Sequence, residues 1–377
     1  MQSINLIFRG LMISTLALAP FLTTGLSKAV NNATLNVDTT LDSNEAAYQV
    51  CSDAPADCTL RGAISKINAD PNQSYAIQIP GRDYVLALSG GNEDANASGD
   101  LDIHRSVTIT GAGIGTTSVN GNALDRVFHI HPGVIVEISD LSISGGKTAH
   151  GETPSGNAAP GGGIFNAGHL TLRNSAVVQN TTGRGAGGIF SNAVGGDGGD
   201  GGGIYNLGTL SIIDGSIVDN TAGDGGDPNH YWDYTYLGDG GSGGSGGGIF
   251  NVGTLFLTRT KVLNNSAGDG GAFGSAYKDN SNGGPGGAGG GVYTSGSLIS
   301  MDSQISNNTA GDGGVGMGPG GEGGGVFIAS GKTWLHENTI NGNQSGLGGT
   351  GIYTFGGFQT GAAGGSAGGV YNAGTLS

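Results

Sequence analysis

Apolar residues in the C-terminal half of the chain alternate with polar ones in short runs, and the runs recur as a block. The copy GGGIYNLGTLSIIDGSIVDN from Gly201 carries Ile204, then Leu210 and Ile212, then Ile217, each flanked by polar or glycyl positions. That period-two spacing predicts three short strands, GIYN, TLSI and SIVDN, separated by tight bends. Related copies begin at Gly161, Gly246, Gly289 and Gly323, and a sixth begins at Ala367 and breaks off at Ser377, which implies a longer protein. Offsets of 34 to 45 residues between copies are the signature of a solenoid. Leu170, Leu210, Leu255 and Leu298 share one column, and Val177, Ile217, Val262, Ile305 and Ile340 another. Asn180, Asn220, Asn265, Asn308 and Asn343 close the third strand of each copy. Stacked at a strand spacing of about 4.8 Å, they predict a side-chain ladder at a bend whose left-handed conformation Asn tolerates. Asn166, Asn206, Asn251 and Asn372 form a second, partial column.

Upstream the pattern changes. Leu60, Ile64 and Ile67, with Ala63 beside them, fit a helix over about 59–68, capped by Asp57 or Thr59 and stopped by Pro71, with Gly62 weakening it. An amphipathic helix suits the otherwise exposed apolar end of a stack, so 30–74 reads as an N-terminal cap. Residues 75–160 hold irregular alternating runs (YAIQI, YVLAL, SVTITG, RVFHI, VIVEISDLSISGG) that read as the first coils, and 161–377 are the Gly-rich repeats. Residues 1–29, with Arg9, an apolar stretch from Leu11 to Leu22 and Ser27-Lys28-Ala29, read as a secretory signal; the run is too short and too interrupted by Pro20 for a membrane anchor. The expected location is therefore outside the cell or on its surface, with no transmembrane segment in the mature chain.

Composition sharpens this reading. Of the 81 glycines, 65 lie between 161 and 377, yet collagen is excluded by the absence of strict Gly-X-Y and of abundant proline. Fixed apolar columns exclude disorder. The net charge is −15, and loss of Arg9 and Lys28 with the signal gives −17, so nothing resembles a nucleic-acid surface. Cys51 and Cys58, the only cysteines, are expected to form one local disulfide in an oxidising compartment, with two free thiols as the alternative.

Cys58-Thr59-Leu60-Arg61-Gly62-Ala63-Ile64 resembles the signature of CSLREAI-domain proteins, with Thr for the first Ser and Gly for Glu. The flanking VCSDAPADC, GDLDIHRSVTITGAGIGTTSVNG and LDRVFHIHPGVIVEISDLSISGG resemble the same family, and GGGIYNLGTLSI is similar to polymorphic outer-membrane-protein repeats. The resemblance implies an all-β, right-handed parallel β-helix of the pectin-lyase-like kind on exported or surface bacterial proteins. It brings no agreed catalytic set, and Gly62 departs from the signature where the usual Glu would stand.

Candidate chemistry is sparse. Asp100, Asp102 and His104 alternate, as do His129 and His131, and such carboxylates and imidazoles suit a divalent metal unless they are simply the outer face of strands whose Leu101, Ile103, Phe128 and Ile130 point inward. Asp224, Asp269 and Asp312 recur in the bends and are candidates for a Ca²⁺-binding column, against a role as turn formers. Tyr231, Trp232, Tyr234 and Tyr236 are a candidate sugar-stacking cluster, against simple packing on the coil beneath. No catalytic constellation is visible: the repeats' basic residues are scattered, and no paired-carboxylate or nucleophile motif occurs. The expected function is a surface or extracellular-matrix, adhesin-like solenoid presenting Gly-rich loops to a polysaccharide or cell-surface ligand. The alternative is a polysaccharide-binding or polysaccharide-cleaving protein.

Overall fold

The computed structural model describes residues 33–91, 93–152, 154–188, 194–228, 238–273, 282–351, 353–354, 357–358 and 360–376. The leader expected over 1–29 lies outside them. Three parallel sheets run along the stack, and each coil between Leu101 and Asn341 contributes one strand to each: in one such coil, Ile204–Asn206 goes to an eight-stranded entry sheet, Thr209–Ile213 to a ten-stranded middle sheet, and Ser216–Val218 to an eight-stranded exit sheet. The chain is thus a parallel β-helix. Pairing is in register from coil to coil, so Leu170, Leu210, Leu255 and Leu298 sit directly over one another, as do Val177, Ile217, Val262, Ile305 and Ile340. The interior is therefore a bundle of like-on-like rows, almost all fully buried, each side chain contributing about 1.5–3 kcal/mol.

The Asn column behaves as a hydrogen-bond ladder. Asn220 Oδ1 accepts from both the backbone N–H and Nδ2 of Asn180, and Asn220 repeats this pattern onto Asn265 Oδ1, all at 3.0 Å. Each Nδ2 also donates across the bend to the previous coil's exit strand, as Asn220 does to Val177 O at 3.0 Å. The left-handed residue of the bend is the one before the ladder Asn (Gln179, Asp219, Asn264, Asn307 and Gly342), not the Asn itself as the sequence suggested. Asn is required at the next position for its two-sided amide. The second column runs Asn166 to Asn206 to Asn251 at 2.7 Å per rung and ends on Thr294 Oγ1; Ile328 then intervenes, so Asn372 stands apart.

The expected cap opens on a strand of the solenoid itself: Ala33–Asn36 pairs with Tyr75–Gln78 at the end of the middle sheet. The coil between them replaces its remaining strands with the disulfide-closed loop Cys51–Cys58 and α1 (Leu60–Ala69), which packs beside Leu101–Ile103 at the end of the entry sheet. Thr59 caps α1, accepting from Gly62 N–H, and Leu60, Ala63, Ile64 and Ile67 join the core. Arg61 is buried and holds the helix to the stack through Asp42 at 2.6 Å and the carbonyls of Gly99 and Asp100 at 2.8 Å. A Cβ at position 62 would lie 2.1 Å from Tyr48 O, so Gly is there for close packing and not as a flaw in the helix.

The described parts of the Gly-rich segments are hydrogen-bonded from coil to coil. After the ladder Asn the chain runs outward (Ala222 to Asp227, for example), and it returns before the next GGG (Gly240 to Ser245). Both legs have a three-residue period, that of a polyproline II helix. One residue in three bonds to the leg of the same direction in the next coil: Gly225 N–H to Asp269 O, and Gly198 N–H to Ser242 O. One bonds to a leg of opposite direction: Gly244 N–H to Gly223 O, Gly268 N–H to Gly244 O, and Gly287 N–H to Gly268 O. The third carries the side chain, as at Asp197, Asp200, Ser242 and Ser245. Outgoing and returning legs thereby form two hydrogen-bonded layers joined face to face. An added Cβ on Gly223 would lie 1.7 Å from Gly183 O, and one on Gly268 1.9 Å from Gly223 O, which excludes every other residue.

Two stability predictions follow from these contacts. Asn220→Ala strands the Asn180 donors and Val177 O in a dry corner and is expected to cost about 2–4 kcal/mol in urea unfolding. In the Gly layers, Gly223→Ala forces backbone apart and should cost at least about 2 kcal/mol, whereas Ser242→Ala, at a side-chain-bearing position, should change stability by less than about 0.5 kcal/mol. Equal effects of the two layer substitutions would refute the three-residue period.

Candidate functional site

Among the described residues, a dense gathering of titratable groups lies where the first entry-sheet strands meet the 93–100 loop. Leu101–Ile103 and Phe128–Ile130 pair in register, so Leu101, Ile103, Phe128 and Ile130 turn inward and Asp102 sits against His129 on the outer face. Asp102 is nonetheless fully buried, because the 93–100 loop covers it and Asn96 N–H donates to its Oδ2 at 3.0 Å. Its Oδ1 lies 3.2 Å from His129 Nδ1 and 2.9 Å from His131 Nε2, and Asp94 Oδ1 approaches His129 Nδ1 at 3.4 Å. His104 stacks on His131 with ring centroids 3.8 Å apart, and its Nε2 is 2.6 Å from Asp94 O. Among the described residues, Asp94, Asp102, His129 and His131 form a group whose ligand atoms all lie within 4.8 Å of one another.

The expected trio Asp100, Asp102 and His104 is divided by this arrangement. Asp102 joins the histidines, His104 buttresses them, and Asp100 faces Arg126, whose Nε is 3.3 Å from its Oδ2. A cleft of 280 Å³ lined by Glu93, Asp94, Asp100, Asp125, Arg126 and His129 opens beside the cluster. Burial pushes the Asp100 carboxyl up to about 8, with Arg126 opposing and Asp102 and Asp125 reinforcing the shift. Burial likewise pushes Asp125 up. For Asp102, burial also favours the neutral acid, but the hydrogen bonds from His129, His131 and Asn96 N–H outweigh it and hold the carboxyl below its ordinary range. Burial lowers the His131 imidazole despite the Asp102 hydrogen bond, which leaves the ring neutral near pH 7. The alternation of Asp102 with His104, and of His129 with His131, was visible in the sequence. Asp94 was not, because a loop residue reaches the site only through the fold.

A second groove of 350 Å³ runs between the returning Gly layer and the outer face of the entry sheet, beside Asp197, Asp200, Tyr205, Phe250 and Tyr293. Its floor is a column in which Phe165, Tyr205, Phe250, Tyr293, Phe327 and Tyr371 stack with centroids 4.4 to 5.3 Å apart. Each ring covers its neighbour's face, so the column offers edges, not faces, to a ligand. That geometry disfavours sugar stacking along it. The cluster proposed for that role, Tyr231, Trp232, Tyr234 and Tyr236, lies outside the described residues.

Asp224, Asp269 and Asp312 stand one above another on the outgoing legs but do not converge. Asp224 Oδ1 accepts from Asp269 N–H at 2.9 Å, Asp269 Oδ1 from Asp312 N–H at 2.7 Å, and Asp312 Oδ1 from Leu347 N–H at 2.7 Å. Each carboxylate thus satisfies the backbone donor that the Gly layer leaves unpaired at its side-chain position. Asp197 and Asp200 do the same for Ser242 and Ser245 on the returning legs.

No family model and no curated protein matches the chain. Among solved structures it is similar to ORF18 of Geobacillus virus E2, at 10% identity and a TM-score of 0.29, over 86% of this chain; the chain spans 62% of the viral protein's length. It is also similar to the A-module of the mannuronan C-5 epimerase AlgE4 of Azotobacter vinelandii, at 12% identity and a TM-score of 0.23, over 75% of this chain and 90% of that one.

Asp200 supplies a pH prediction. Burial, reinforced by Asp197, pushes its carboxyl from 3.8 up to about 6 against the opposing Ser245 N–H bond. The folded state therefore holds this proton more tightly than the unfolded chain does. Its contribution is complete below about pH 4 and is lost as pH rises through about 6. Asp200→Asn keeps an acceptor for Ser245 and removes the charge, so it should be about 1–2 kcal/mol more stable than the parent near pH 7.5. Near pH 4 the two should be alike, as thermal denaturation followed by circular dichroism will show.

Proposed function

We propose that the chain is an exported, adhesin-like scaffold that presents its Gly-rich segments to a polysaccharide or cell-surface ligand. The observation that carries this reading is the Gly double layer. Its legs leave the stack at one corner of every repeat, and Gly188 pairs with Pro228 where two outgoing legs end, immediately before segments 189–193 and 229–237. A backbone bonded on two of its three ridges is stiff, and the side chains of the outgoing legs, such as Asp224 and Asp269, are exposed. Such a construction suits holding a segment clear of the core better than it suits building a catalytic cleft. The disulfide-closed N-terminal loop and the resemblance of Cys58–Ile64 to the CSLREAI signature support export.

The cleft beside Arg126, which sets paired acids next to an arginine and a histidine, favours the second reading, a polysaccharide-binding or polysaccharide-cleaving protein.

One experiment separates the two. The chain and a variant with 229–237 replaced by a Gly-Ser segment of equal length are compared for binding to a glycan array and to intact bacterial cells. The expected result is binding by the parent, at least about tenfold weaker binding by the variant, and identical melting curves. Unchanged binding after the exchange, or release of reducing ends from any polysaccharide, would overturn the scaffold reading.

A further inference from the structure

We propose that Asp94, Asp102, His129 and His131 form a binding site for one divalent transition-metal ion of the Zn²⁺ class. The four ligand atoms lie within 4.8 Å of one another, and three of their six separations are 2.9, 3.2 and 3.4 Å. With bonds of about 2.0–2.2 Å, the edge of a tetrahedral zinc site is about 3.3–3.6 Å, so the ligands already stand near the required spacing. Two imidazoles with two carboxylates form a borderline donor set that suits Zn²⁺, Co²⁺ or Mn²⁺, whereas Ca²⁺ and Mg²⁺ take oxygen.

The surroundings fit a cation. Asp102 is a fully buried carboxylate, and its second oxygen is oriented by Asn96 N–H at 3.0 Å. His104 braces His131 by stacking and ties down the Asp94 backbone, an outer-shell role of the kind that orients ligands. Phe165 closes the opposite side, edge-on to His129 at 5.1 Å. Asp94 is the one outward-facing member, its side chain 73% exposed, and the adjacent cleft gives an ion its path in. Arg126 Nε is held beside Asp100 and Asp125, at 3.3 and 3.8 Å, and not beside the four proposed ligands.

The site is independent of the scaffold reading, since it lies in the first coils, far in sequence from the loops at issue there. The test is titration of the EDTA-treated, dialysed full chain with Zn²⁺ by calorimetry, with Co²⁺ as an optical probe. The expected result is one Zn²⁺ per chain, a raised melting temperature, a visible Co²⁺ absorption band and no heat from Ca²⁺ at the same concentrations. His131→Asn should abolish binding. Asp94→Ala, which disturbs no packing, should weaken it at least tenfold, and His104→Ala about tenfold through lost orientation. His150→Ala and His169→Ala should bind like the parent. Absence of heat and of any melting shift with both Zn²⁺ and Co²⁺ overturns the proposal. So does undiminished affinity in either His131→Asn or Asp94→Ala.

Discussion

In-register backbone pairing between successive coils is the constraint on which the rest of this structure depends. Parallel strands stacked at about 4.8 Å place each residue on its counterpart one coil earlier, so every position must tolerate a copy of itself above and below. Apolar positions respond with continuous rows such as Leu170, Leu210, Leu255 and Leu298. Asn meets the same demand at a buried polar corner, because its amide donates in one direction and accepts in the other. A charged residue there would repeat its own repulsion at every coil.

The Gly double layer extends that logic beyond the sheets. Once the chain leaves the exit strand it still has to satisfy its backbone donors and acceptors coil by coil, but with no apolar core to face. A three-residue helix aims its carbonyls and amides in three directions, and glycine at two of the three positions lets neighbouring backbones meet without a Cβ between them. The Asp side chains of the remaining positions, Asp224 and Asp269 among them, accept the donors that point outward. Asp224 and Asp269 carry charge there because they stand exposed at the edge of the layer, whereas the more deeply set Asp200 is pushed toward its neutral form.

The His–Asp cluster occurs where the repeat is least regular. His129 lies beneath Phe165 in the same outward column that becomes aromatic in every later coil. The first coils thus use one register position for titratable groups, and the later ones use it for stacked rings. The 93–100 loop, which has no counterpart among the repeats, converts that outer face into an enclosed site.

Period and column identity are local properties, so the strands, their order, the stacked rows and the Asn ladder were legible in the residues alone, as was the helix near Leu60. Even the Gly layers left a mark, since GGDGGDGGG and GDGGSGGSGGG place a non-glycine at every third position, although proline-poor composition argued against a three-residue helix. Only the tertiary structure decided what depends on distance through space. It put the outgoing and returning legs face to face and made Gly62 a packing necessity. It also separated Asp100 from Asp102 and brought Asp94 from a loop to His129. The physical reason is that periodicity reports which face a side chain takes within its own strand. Which group it meets there is set by register and by the loops that fold over it.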